Sequence, residues 1–307
     1  MTSQSPPIRG IFVPTVVPFT PAGQLNEDEL ARYLDWLLSK GVNGLYPNGS
    51  TGEFTRLNPA ERRRIVQISS QVAAGRGLIL AGAAEENALE TLRACELYAT
   101  YGVRAAAIVS PYYYKLSPAA VFAYFREIAT HSPIDVLLYN IPMFATPLDL
   151  DTIRRLAEFD RIVGIKDSSG DVSFILRMID QVRPSRPDFA ILSGWDPTLA
   201  SLLMMGIDGG TLASAGVAPE VLSKLYNLCQ QGEWASAKEL QFRVLRLFDV
   251  MLSVGDFPGG FRAGVEMRGF TVGNSRQPLC DASDAARIVI QRELDAVLNH
   301  LSIATAR

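Results

Sequence analysis

The sequence predicts an α/β protein, a closed (β/α)8 TIM barrel with a C-terminal helical extension. Three observations predict it. Between residues 11 and 213, short apolar runs alternate with amphipathic stretches eight times, the pattern of parallel strands joined by crossover helices. The runs are continuously apolar, as strands covered on both faces should be. After Ala213 the alternation stops and only helical periodicity continues. A doubly wound open sheet is the competing architecture. Eight units in this span favour closure, and the 307 residues accommodate a barrel of roughly 250 with an appendage. No GxGxxG opens the first unit, which weakens a dinucleotide-binding fold.

Ile11–Val17 reads as a β-branched first strand, and residues 26–39 as a helix with Leu30, Tyr33, Leu34, Leu37 and Leu38 at helical spacing. Strands at 44–47, 78–81, 105–109, 136–139, 162–166, 190–192 and 209–213 follow. The helices between them are expected at 59–74, 86–101, 118–130, 150–158, 172–182 and 197–205. Helices at 219–232, 235–254 and 282–301 form the extension, with GDFPGG (255–260) as a turn between two of them. The expected domains are a catalytic barrel over residues 1–219 and an α-helical domain over 220–307.

Composition narrows the function. Lys plus Arg total 29 against 32 Asp plus Glu, a net charge of −3, which offers no pull toward nucleic acid or anionic membrane. No apolar run reaches the roughly 20 residues of a membrane span, and Met1–Arg9 lacks an apolar signal core. These features predict a cytoplasmic protein with a short frayed lead-in. Cys95, Cys229 and Cys280 are scattered and odd in number, as free thiols are. Two histidines, His131 and His300, are too few for a zinc cluster or a Ser-His-Asp mechanism. His131, in the polar stretch ATHSPID, reads as a solvated surface residue. No metal is expected.

Active sites of such barrels lie at the C-terminal ends of the strands. The reactive residues there fall in NGSTGEF (48–54), SPYYYK (110–115), YNIP (139–142) and GIKDSSGD (164–171). Lys166 closes an apolar strand. An apolar mouth disfavours an ammonium and favours the free amine, a nucleophile for a ketone. The resulting iminium is an electron sink for making or breaking an adjacent carbon–carbon bond. The plainer alternative is a lysine snorkelling to solvent or paired with Asp167. Tyr139 ends the neighbouring strand, where a phenol relays a proton if another hydroxyl reaches it. A satisfied packing tyrosine is its alternative. Gly49, Ser50, Thr51 and Gly52 offer successive N–H groups and two hydroxyls, a carboxylate cradle or a plain strand-to-helix turn. It is not a phosphate loop, because no GK[ST] follows. Tyr112, Tyr113 and Tyr114 form an aromatic loop tip suited to an interface.

Together PTVVPF (14–19), GSTGE (49–53), SPYYY (110–114), YNIP (139–142), GIKDSSGD (164–171) and SGWD (193–196) resemble the dihydrodipicolinate synthase / N-acetylneuraminate lyase superfamily along nearly the whole chain. The resemblance implies a class I, pyruvate-dependent carbon–carbon lyase. Lys166 forms a Schiff base with pyruvate or another 2-oxo acid, Tyr139 acts as acid and base, and Ser50 and Thr51 hold the carboxylate. The same resemblance implies that Tyr113 completes a hydroxyl relay in the neighbouring subunit's site, in a homotetramer built as a dimer of dimers. The covalent lysine adduct calls for no metal or organic cofactor.

Two departures bear on the substrate. Lysine-biosynthetic synthases of this superfamily typically read YNxPxR, and here Phe144 takes the arginine position after Met143. A ring cannot pair with a second carboxylate. Sialic acid lyases carry a second acid where Pro197 follows Asp196, and a serine where Ala213 stands. Asp196 and Ser168 remain to bind the hydroxyls of a shorter chain. The expected substrate-binding set is Gly49, Ser50, Thr51, Phe144, Ser168, Asp196 and Thr211, and the expected substrate a 2-keto-3-deoxy sugar acid cleaved to pyruvate and an aldehyde. Dihydrodipicolinate synthesis, dehydration and hydratase-aldolase chemistry on an apolar or aromatic aldehyde use the same iminium. A non-catalytic 2-oxo-acid-binding barrel is the reading of another class.

Overall fold

A computed structural model describes residues 6–305. Residues 1–5 of the expected lead-in lie outside the described residues. Eight parallel strands close in sequence order: β1 (Gly10–Pro14), β2 (Gly44–Tyr46), β3 (Leu78–Gly82), β4 (Ala105–Val109), β5 (Asp135–Asn140), β6 (Ile162–Asp167), β7 (Ala190–Ser193) and β8 (Gly209–Thr211), with β8 returning to pair with β1. The crossover helices are α1 (Glu27–Ser39), α2 (Pro59–Ala73), α3 (Ala88–Thr100), α4 (Pro118–His131), α5 (Leu150–Leu156), α6 (Val172–Val182) and α7 (Leu199–Met204). Six of them begin where a side chain satisfies an otherwise orphan backbone N–H: Asn26, Asn58, Asn87, Ser117, Asp149 and Asp171 each accept from the residue three positions on.

Strand alternation sorts the core into two shells. Ile11, Val13, Leu45, Ile108, Leu138 and Ile165 face the helices. Phe12, Tyr46, Leu80, Leu137 and Leu192 fill the barrel interior beside the small Ala105, Ala107 and Ala190. Among the described residues these side chains fill the barrel interior, and the functional end of such a barrel is the strands' C-terminal end.

Three boundaries differ from expectation. β1 stops at Pro14 instead of Val17, because the chain leaves the barrel there and Val17 O turns to accept from Arg262 Nη1 at 2.8 Å. Helix α8 (Pro219–Gln230), placed outside the barrel by the division at 219/220, packs on β1 and α7 as the eighth barrel helix. The helices beyond the barrel are α9 (Trp234–Ser253), α10 (Gly259–Met267) and α11 (Asp284–Thr305). Helix α10 begins inside the stretch read as a turn. Its glycines imitate a loop signal, yet they allow close helix packing: a Cβ on Gly260 would lie 2.1 Å from Met251 O, and one on Gly264 would lie 2.8 Å from the Val217 side chain.

Cys95 and Cys229 are buried free thiols and Cys280 is exposed. His131 is exposed beside Glu127. Among the described residues no helix is long and apolar enough to cross a membrane, and no cluster of three metal-ligating side chains occurs.

Candidate active site

Strand register assembles the centre of the site. Across β5 and β6, Tyr139 is paired with Lys166, and Asn140 with Asp167. Successive residues of a strand face opposite sides, so Tyr139 and Lys166 share the barrel interior and Asn140 and Asp167 share the outer face. Asn140 Nδ2 donates to Asp167 Oδ2 at 2.6 Å, and the Ser169 backbone N–H and hydroxyl donate to Asp167 Oδ1 at 3.0 and 2.5 Å. Asp167 is thus held outside the barrel and is not the counter-ion of Lys166. Burial pushes its carboxyl above the usual range, and the hydrogen bonds from Ser169 and Asn140 oppose that shift.

Lys166 does not snorkel either, being only 4% exposed. Its Nζ lies 4.1 Å from the ring centroid of Tyr139 and 4.4 Å from that of Tyr46, which ends β2. The two rings meet edge to face at 6.2 Å. Burial first, and the neighbouring Tyr139 second, push the Tyr46 hydroxyl well above the usual phenol range, so Tyr46 stays a neutral platform. The sequence reading passed over Tyr46. Its only signal was its place at a strand end.

The turn after β2 stands over these rings. A Cβ on Gly49 would meet the Tyr46 ring at 2.7 Å, and one on Gly52 would meet Thr15 O at 2.8 Å, so neither position accepts a side chain without displacement. Ser50 Oγ and Tyr139 Oη are 3.4 Å apart, a long hydrogen bond. Both flanking residues, Asn48 (φ 58°) and Glu53 (φ 54°), adopt left-handed backbone, which asparagine tolerates and which a glutamate keeps only when surrounding structure enforces it. Asn48 is held by its Nδ2, which donates to Arg62 O at 2.9 Å and Tyr98 Oη at 3.2 Å. Glu53 is held by Arg262 of α10, whose Nη1 donates to Glu53 Oε1 at 2.9 Å. That guanidinium, 2% exposed, also donates to Val17 O, Val272 O and Gly273 O. Burial raises the Glu53 carboxyl above its usual range against the opposing charge of Arg262. Sequence reasoning missed Glu53 and Arg262, which lie 209 positions apart.

Two adjoining cavities meet at Ser50, Tyr139, Ile141, Phe144 and Phe257. The inner one, about 90 Å³, holds Lys166, Thr51, Ser168, Gly194 and Thr211. The outer one, about 310 Å³, extends past Phe54, Tyr112 and Arg56 and sits near the lower end of small-molecule pockets. The buried Thr211 hydroxyl has no protein hydrogen-bond partner among the described residues. Ser168 Oγ donates to Gly194 O at 3.4 Å.

Asp196 is a correction. It is fully buried, and its carboxylate accepts from the backbone N–H groups of Ser214 at 2.8 Å and Ala213 at 3.3 Å. It anchors the turn after β8 and does not line either cavity. Burial raises its carboxyl to about 6, with the bonds from Ser214 and Ala213 opposing. Tyr113 does not reach the chain's own Lys166. It is 79% exposed and stacks edge-on against Tyr114 at 4.9 Å, while Tyr112 faces the outer cavity.

A closed parallel barrel with a buried lysine amine at a strand end offers what a lysine-dependent lyase needs. The chain belongs to the dihydrodipicolinate synthetase family, whose model matches residues 7–297. It is 32% identical over 298 residues to the 4-hydroxy-tetrahydrodipicolinate synthase of Roseobacter denitrificans, covering 96% of this chain and 99% of that one. It is 31% identical to an uncharacterized DapA-like lyase of Pyrobaculum islandicum, with the same coverage. Among solved structures it is similar to YagE of E. coli K12 in complex with pyruvate, at a TM-score of 0.89 and 28% identity over 94% of this chain and 98% of that one.

Proposed function

We propose that the protein reversibly cleaves a 4-hydroxy-2-oxo acid into pyruvate and an aldehyde through a Schiff base on Lys166. The observation that carries the reading is the Lys166 amine, buried against two tyrosine rings at the mouth of the barrel. The pyruvate in the related YagE structure supports the choice of oxo acid.

The amine adds to the C2 carbonyl and water leaves, giving an iminium. Its positive charge faces the π-faces of Tyr46 and Tyr139, which stabilise a cation. Tyr139 passes its own proton to Ser50 as it takes the proton from the C4 hydroxyl, the C3–C4 bond breaks, and its electron pair passes into the iminium to give an enamine and the aldehyde. C3 of the enamine then regains a proton, and water releases pyruvate and the free amine. No electrons are gained or lost, and the route calls on no metal or organic cofactor. Ser50, 3.4 Å from the Tyr139 hydroxyl, is the next member of the proton relay. The N–H groups and hydroxyls of Gly49, Ser50 and Thr51 cradle the carboxylate. Tyr113, exposed on its loop, is assigned to the site of a neighbouring copy in a homotetramer. The sugar-acid form of this reading loses Asp196 and keeps only Ser168 and Thr211 as hydroxyl partners.

Borohydride reduction in the presence of pyruvate, followed by peptide mass spectrometry, tests the reading. A reduced pyruvate adduct on Lys166 is expected. Folded protein that yields no adduct overturns the assignment.

A further inference from the structure

We propose that the C-terminal helices select the aldehyde half of the substrate, and that this half is an aryl or otherwise apolar aldehyde rather than a polyhydroxylated one. The inference rests on the lyase reading above and extends it to substrate class.

The wall facing Lys166 is a chain of rings. Trp195 meets Phe248 at 5.2 Å, Phe248 meets Phe261 at 5.9 Å, Phe261 meets Phe257 at 5.8 Å, and Phe257 meets Phe144 at 6.1 Å. All five line the cavity that holds the amine. Phe248 belongs to α9, Phe261 to α10 and Phe257 to the loop between them. The polar groups of this cavity sit instead at the strand ends, around the amine itself. A Cβ on Gly194 would lie 2.0 Å from Ser168 Oγ and 2.9 Å from Lys166 Cε, so that serine flanks the reacting lysine.

These hydroxyls match the oxygens near the reacting carbons. Past them the wall carries no carboxylate or amide side chain. The acid nearest in sequence, Asp196, is occupied by the backbone of Ala213 and Ser214. Against this inner wall a polyol tail would bury hydroxyls with no carboxylate or amide partner, which is unfavourable. An aromatic tail gains edge and face contacts with the same rings. The inner cavity is small, so the aldehyde's body leaves it past Phe144 and Phe257. Those two rings also border the larger outer cavity, where the rings of Phe54 and Tyr112 stand beside the polar Asn48, Thr55 and Arg56.

In the joining direction, C3 of the enamine bonds to the aldehyde carbon, the aldehyde oxygen takes a proton, and water frees the product from Lys166. The test measures kcat/KM for joining pyruvate to benzaldehyde and to glyceraldehyde, with borohydride trapping of pyruvate run on the same samples. Benzaldehyde is expected to be preferred by about 10- to 100-fold, the range an apolar pocket achieves against added hydroxyls. Phe257→Ser and the rim variant Phe144→Ser should each collapse that preference, chiefly by losing rate with benzaldehyde. A preference for glyceraldehyde, equal losses on both aldehydes in the two variants, or trapping without turnover on either aldehyde overturns the inference and leaves the Schiff-base reading standing. Failure to trap pyruvate at Lys166 sinks the Schiff-base reading itself.

Discussion

Around Lys166 the strand ends and their loops contribute an amine, hydroxyls and the rings of Tyr139, Phe144 and Trp195, whereas the segment beyond the barrel contributes apolar side chains, among them Phe248, Phe257 and Phe261. The strand-end groups are placed by backbone register: Tyr139 and Lys166 face one another because β5 and β6 pair there. The rings from beyond the barrel are placed by helix packing, with Gly260 and Gly264 letting α10 lie close on its neighbours. A side chain set by register is hard to shift without breaking the sheet, while a ring on an appended helix can be exchanged with local repacking. The contrast assigns bond chemistry to the barrel and selection of the partner to the appendage. Arg262 joins the two regions, reaching from α10 to the Glu53 carboxylate beside the 49–52 turn.

The sharpest way to break this comparison is Lys166→Ala. Turnover should vanish, since the covalent step has no substitute amine, and measurable pyruvate release from the folded variant would end the assignment. Tyr139→Phe should keep pyruvate binding and slow turnover by about 10²–10⁴, the usual contribution of acid–base catalysis. Calorimetric binding beside steady-state rates separates the two effects, and near-normal turnover would remove Tyr139 from its role.

Next in size is the joint between the regions. Arg262→Met leaves Glu53 buried and unpaired, a loss of about 3–5 kcal/mol. The double variant with Glu53→Gln should recover part of that loss. Denaturant unfolding checks both, and an Arg262→Met variant as stable as the parent would show that the pair does not hold the turn. The smallest effect concerns Asp196. Its carboxyl is raised from 3.8 to about 6 by burial, so the folded state binds the proton more tightly than the unfolded chain. The stability this adds is fully present below the usual value and is lost as pH rises through about 6. Asp196→Asn removes the titration, so between about pH 4 and 7 the variant should gain stability relative to the parent. A pH-independent difference between the two would refute the buried, raised carboxyl.

Much of the molecule was legible in the linear chain. The eight apolar runs foretold the strands, and the amphipathic stretches between them foretold the crossover helices. Lys166, Tyr139, Ser50 and Thr51 stood out because reactive types at strand ends are chemically conspicuous. Tyr46 was hidden because a tyrosine at a strand end also serves as core. Helix α10 was hidden because Phe-Pro-Gly-Gly signals a turn locally, and only packing against Met251 and Val217 shows why glycines open a helix there. Asp196 misled because a carboxylate beside a strand end reads as a ligand group, whereas the backbone N–H groups it satisfies belong to residues 17 and 18 positions away.

What the sequence determined by itself is the periodicity and the chemistry: a closed barrel, and an amine, a phenol and a hydroxyl turn at its open end. What only tertiary structure decided is which of those groups face one another and what covers them. Register turns Asp167 away from Lys166. A buried arginine clamps a turn 209 residues away, and rings from helices outside the barrel line the cleft. The reason is physical. Strand and helix periods are local properties of the chain, but pairing across strands and packing between distant helices depend on contacts that exist only once the barrel has closed.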